Sequence, residues 1–80
     1  MLDRIKKGTR PTEILREIIA ENPSMRNFDL SREFCGLFEG ISMDAIQAIW
    51  HWKGGGRVGG YDDEELDAIL LKALREGGFI

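Results

Sequence analysis

The stretch Tyr61-Asp62-Asp63-Glu64-Glu65-Leu66 decides how this chain folds, because it carries a complete set of helix-start signals. Asp62 suits the N-cap, where a carboxylate accepts from the unpaired amides of the first turn. Glu65, three residues on, closes a capping box, and Tyr61 and Leu66 supply the apolar staple around it. Behind them Ile69, Leu70, Ala73 and Leu74 recur at helical spacing, which predicts an amphipathic helix from about Asp63 to Glu76, ended by Gly77-Gly78. The chain's own carboxylates occupy the anion-attracting end of that helix, so a phosphate site there is disfavoured.

The same periodicity extends upstream. A first helix opens near Pro11, a residue tolerated in a first turn, and places Ile14, Leu15, Ile18 and Ile19 on one side before Asn22-Pro23 stops it. Residues Ser24 to Phe28 read as a loop. Asp29 or Asn27 is the expected cap of a second helix in which Leu30, Phe34, Leu37, Phe38 and Ile41 share a face, with Gly40 at its C-terminal cap. Ser42 caps a third helix, Met43 to Lys53, with Met43, Ile46, Ile49 and Trp50 on one side. The run Gly54 to Gly60, interrupted only by Arg57 and Val58, has no two-residue alternation and reads as a loop or hinge. Phe79 and Ile80 are expected to fold back onto the body. The prediction is an all-α fold, a compact four-helix bundle of short helices around Phe34 and Phe38, in a single domain over residues 1–80.

Charge is unevenly spread. Residues 1–10 carry Arg4, Lys6, Lys7 and Arg10 against Asp3 and read as a basic, partly flexible N-terminal segment, whereas the tail is acidic and the whole chain carries −3. A net acidic domain repels polyanions unless its cations cluster, which disfavours nucleic acid as a partner. A hydrophobic fraction of 42% beside 31% charged residues places the chain among folded rather than disordered sequences. Cys35 is the only cysteine, so no internal disulfide forms and a reducing compartment fits. The start lacks a signal peptide's apolar core, and no stretch approaches the roughly 18 apolar residues of a membrane span. The expectation is a cytoplasmic protein away from the membrane.

Reactive constellations are scarce. Cys35 and His51 are the sole thiol and imidazole, with no third group to orient them. Asp44, Gln47 and His51 share a stripe of the third helix, but no second histidine or cysteine completes a zinc site. The string Asp62-Asp63-Glu64-Glu65 lacks the alternating ligands and turn glycine of a calcium loop. Lys53-Gly-Gly-Gly-Arg57 has the glycines and cations of a phosphate loop, but no strand precedes it and carboxylates follow it. The expectation is a non-enzymatic chain without cofactor or metal.

Two binding readings remain. Projected at 100° per residue, Trp50 points with Met43 and Ile46, whereas Trp52 points toward Ala45 and Ala48. The third helix is thus either central and buried on two flanks or the wall of a groove. Centrality is the plainer reading, yet part of Trp52 is expected to reach solvent, beside Ala45 and Ala48, with Lys53 and Arg57 as a basic rim and Leu71 extending the surface. That supports a small interaction module, an adaptor or regulatory accessory that binds a protein partner or itself. The alternative is a DNA-binding regulator: residues 34–53 resemble a helix-turn-helix motif, with Gly40 as turn glycine, Gly36 as the small residue before it, and Ile41, Ile46 and Ile49 at its apolar positions. Glu39 departs from that pattern where an apolar residue is usual. The outward residues Ser42, Asp44, Gln47 and His51 provide no cation for phosphate.

Overall fold

The computed structural model describes residues 2–53 and 59–80, with side chains from Arg4 onward. These residues form five helices: α1 (Leu2–Lys6), α2 (Pro11–Glu21), α3 (Asn27–Leu37), α4 (Met43–Trp50) and α5 (Asp63–Glu76). The all-α prediction holds, and the expected four helices gain a short fifth at the N-terminus. Its cause is a residue that the charge count overlooks: Ile5 is only 5% exposed and joins the core. Arg4 pairs in a forked geometry with Glu17 of α2, which fixes the basic end against the body.

Capping explains where the helices begin. At α5 the Glu65 backbone amide donates to Asp62 Oδ1 at 2.8 Å, and the Asp62 amide donates to Glu65 Oε1 at 3.3 Å. That is the capping box the sequence predicts. Arg10, at the N-cap of α2, makes no side-chain capping bond. The missing acceptor comes instead from Asp67 of α5, whose Oδ1 accepts from the Thr12 amide at 2.9 Å and whose Oδ2 accepts from the Thr12 hydroxyl at 3.1 Å. Both side chains are buried, so this bond ties α2 to α5 in a dry environment. α3 begins earlier than expected: Arg26 is its N-cap, and Asp29 accepts from the Arg26 amide at 3.1 Å. Asn27 is no cap. Its side-chain amide donates to the Trp50 and Trp52 carbonyls at 3.1 and 2.8 Å.

The core is built from Ile14 and Leu15 of α2, Leu30 and Phe34 of α3, Ile49 of α4, and Leu66, Leu70 and Leu74 of α5. Phe34 and Phe38 pack with ring centroids 4.8 Å apart, and Phe79 folds back to meet Phe38 edge-on at 5.7 Å. Two expected core residues are displaced outward. Leu37, 41% exposed, lies in the last turn of α3, and Met43, 58% exposed, lies in the first turn of α4; each is at a helix end where few neighbours reach it.

The largest departure concerns α4, which stops at Trp50 rather than running to Lys53. Beyond it the chain pairs with the residue that opens the last helix: the Tyr61 amide donates to the His51 carbonyl at 2.8 Å, and the Lys53 amide donates to the Tyr61 carbonyl at 2.9 Å. Trp52 and Tyr61 form an isolated parallel bridge. This extended step turns Trp52 inward until it is 0% exposed. Its indole N–H donates to Asp63 Oδ1 at 2.9 Å, and the Arg16 guanidinium lies 5.2 Å from its ring centroid while binding Asp63 through two nitrogens. Of the predicted glycine loop, residues 54–58 lie outside the described residues. Gly60 sits at φ +103° directly against the His51 carbonyl, a place where no side chain fits.

Candidate functional site

With Trp52 withdrawn into the core, Trp50 is the tryptophan left at the surface, and the neighbouring residues of α3 build a depression around it. Once α3 is seen to begin at Asn27, Phe28, Arg32 and Cys35 fall at i, i+4 and i+7 on the face away from Leu30 and Phe34. Ile46 and Trp50 of α4 supply the opposite wall. Between them runs an open, mainly apolar groove of about 390 Å³, with Gly36 and Glu39 completing its lining.

Several bonds hold the groove's aromatic end in place. Phe28, 55% exposed, stacks on Trp50 with centroids 6.1 Å apart and planes inclined by 26°. The Trp50 indole N–H donates to Ser31 Oγ at 2.7 Å, and the Ser31 hydroxyl donates to the Phe28 carbonyl at 2.6 Å. Asn27 fixes the Trp50 carbonyl from the same helix. The pair is therefore ordered before any ligand arrives, which lowers the entropy a partner must remove. A Cβ added at Gly36 would meet nothing within 4 Å, so the middle of the groove is open. Arg32 and Glu39 stand exposed along its lining, and neither enters an ion pair among the described residues.

The residues expected to form a docking surface are distributed differently. Trp52, Ala45 and Ala48 are buried, so they form core rather than groove; the projection that grouped them assumed a helix continuing two residues beyond its actual end. Lys53 is exposed, Leu71 is half-buried on α5, and Arg57 lies outside the described residues. The pairing of Phe28 with Trp50 was legible only in part. The Phe28/Arg32/Cys35 spacing is present in the sequence but is masked if residues 24–28 are read as a loop.

Cys35 lines the groove, whereas His51 lines a separate depression with Asp44, Gln47 and Tyr61. Among the described residues no three histidine, cysteine or acidic side chains gather as metal ligands, and every buried side-chain polar atom has a hydrogen-bond partner. Burial pushes the Asp63 carboxyl up, but the Arg16 guanidinium, the Trp52 indole N–H and the nearby charge of Arg10 outweigh it and hold the group below the usual carboxylate range. That shift marks a lock between α2, α5 and the end of α4.

The hairpin of α3 and α4 shares some features with a helix-turn-helix. Gly40 adopts φ +87° in the turn, and Ile41 is buried behind it. Gly36 departs from the motif: it faces open space where the small residue should let the two helices close together. Asp44 and Glu39 place negative charge on the exposed surface of the hairpin. Comparison with known protein families, curated proteins and solved structures finds no match to this chain. No helix among the described residues is long and apolar enough to cross a membrane.

Proposed function

We propose that this chain is a small, non-catalytic interaction module that binds protein through the groove between α3 and α4. The observation supporting this reading is the Phe28–Trp50 stack, a large aromatic surface that the fold holds rigidly at the mouth of an apolar groove instead of burying. Aromatic anchors beside a depression are the usual centre of an interface, whereas single exposed apolar residues elsewhere need no such account. The lone cysteine supports a reducing, cytoplasmic setting.

The test uses a photo-crosslinking residue at Arg32, on the groove, and a control at Glu64, on the first turn of α5. Protein adducts in source-cell extract are expected from position 32 only, and Gly36→Leu, which fills the open space, should abolish them. Equal labelling from both positions, or no adduct from position 32, would refute the reading.

A second reading, duplex DNA binding by the α3/α4 hairpin, draws support from the turn at Gly40 and the exposed Gln47. It predicts retention on heparin and salt-sensitive duplex binding. A low-salt titration without binding removes it.

A further inference from the structure

We infer that the groove's occupant is a cationic amphipathic helix of a protein partner, whose apolar side chains enter between α3 and α4 and whose lysines or arginines meet the carboxylates around them. The inference rests on the protein-interaction reading and names the chemistry of the partner. Charge selects it. The apolar groove of about 390 Å³ borders a polar depression of about 450 Å³, and Arg32 lines both. Three carboxylates stand along the two: Asp29 and Glu33 in the depression, and Glu39, in the turn that follows α3, at the groove. Arg32 is the one cation among the described residues that line them, and none of these four charges enters an ion pair among the described residues. Asp29 and Glu33 lie one helical turn apart, where like charges repel, so a cation bound between them relieves that repulsion. A matching ligand therefore carries several bases and a single acid or carbonyl for Arg32.

The same balance disfavours other occupants. A second copy docked groove to groove carries −3 overall and sets its own three carboxylates against these, and an acidic peptide meets like charge at Asp29, Glu33 and Glu39. The walls decide the ligand's backbone. Helices α3 and α4 bond their amides and carbonyls within themselves, so neither offers the free edge that an extended peptide pairs with, whereas a helical ligand needs only apolar contact along one face. The eight residues of α4 rise about 12 Å and the eleven of α3 about 16 Å, which accommodates about two to three turns of a ligand helix with anchors at i, i+4 and i+7. The exposed Phe28 gives those anchors an aromatic surface at one end, and Gly36 leaves room for a side chain in the middle.

The probe is a fluorescein-labelled peptide of about fourteen residues, with leucine at i, i+3, i+4 and i+7 and lysine elsewhere, titrated against the intact chain by fluorescence anisotropy. A dissociation constant of order 10–100 μM is expected, and a peptide with glutamate in place of lysine should bind about tenfold more weakly or worse. Glu33→Lys and Glu39→Lys should each weaken the lysine peptide about threefold to tenfold, and Gly36→Leu should abolish its binding. Glu64→Lys, on the first turn of α5, should change it less than about twofold. Circular dichroism verifies that the variants remain helical. No binding up to about 1 mM, equal binding of the two peptides, or an equal loss at position 64 overturns the inference. So does a dimer of the unliganded chain that Gly36→Leu dissolves, which assigns the groove to a second copy. If the lysine peptide fails while position 32 still captures a protein from extract, only this inference falls; if position 32 captures nothing, the interaction reading falls with it.

Discussion

Replacing Gly60 by alanine is expected to cost about 3–4 kcal/mol, in two separable parts. The first is conformational: at φ +103° an L side chain is strained by about 1–2 kcal/mol. The second is steric. A Cβ there would fall inside the van der Waals envelope of the His51 carbonyl oxygen and 3.0 Å from its carbon. That carbonyl accepts the Tyr61 amide at 2.8 Å, and the adjoining Lys53 amide donates to Tyr61 at 2.9 Å. Relieving the clash therefore opens both bonds, each worth about 1 kcal/mol net, and loosens the extended step that turns Trp52 inward. Gly40→Ala is the control, because Gly40 has a similar φ of +87° and nothing within 4 Å of an added Cβ. It should show the conformational part alone. Urea unfolding followed by tryptophan fluorescence measures both, and the excess of about 2 kcal/mol corresponds to a melting-temperature gap of roughly 8–16 °C for a domain of this size. Equal losses at the two positions would refute the steric argument and with it the importance of the His51–Tyr61 closure.

Three other outcomes are expected. Asp67→Ala leaves the Thr12 amide and hydroxyl buried without acceptors and should destabilise the fold by about 3 kcal/mol, whereas Asp67→Asn, which keeps one carbonyl oxygen, should cost less in the same denaturation assay. Because the folded Asp63 carboxyl is held below its usual range, the unfolded chain takes up its proton first. The stability it contributes is complete above the ordinary carboxylate value of about 3.9 and is lost as pH falls through the lower folded value. Asp63→Asn should therefore narrow its stability gap to wild type as pH is lowered, and a gap constant down to acid would contradict this. Trp52→Ala should cost about 3–5 kcal/mol by opening a core cavity, whereas Phe28→Ala at the exposed groove end should cost about 1 kcal/mol or less and instead weaken association.

How far the sequence could be read depended on the range of the interactions involved. Asp62, Glu65 and the Leu66/Leu70/Leu74 stripe act within one or two turns of their own helix, so α5 was legible from residues 61 to 78 alone. The same locality made α2 and the Phe34/Phe38 core readable. The sequence keeps Trp52 open between core and groove, and the solvent exposure expected for part of it is absent, because its place depends on where α4 ends and that end is set by hydrogen bonds to Tyr61 across the glycine-rich segment. A periodicity argument assumes the helix continues and contains no term for such a closure.

The sequence by itself determined the all-α class, the placement of four helices and the capping box of the last, since each follows from side chains hydrogen-bonding or packing near their own backbone. Only the tertiary structure decided that Ile5 draws the basic end into a fifth helix, that Asp67 caps a helix 55 residues away, and that Phe28 and Trp50 border an open groove. Those features depend on which surfaces meet, and residues distant in sequence become neighbours only after the helices have packed.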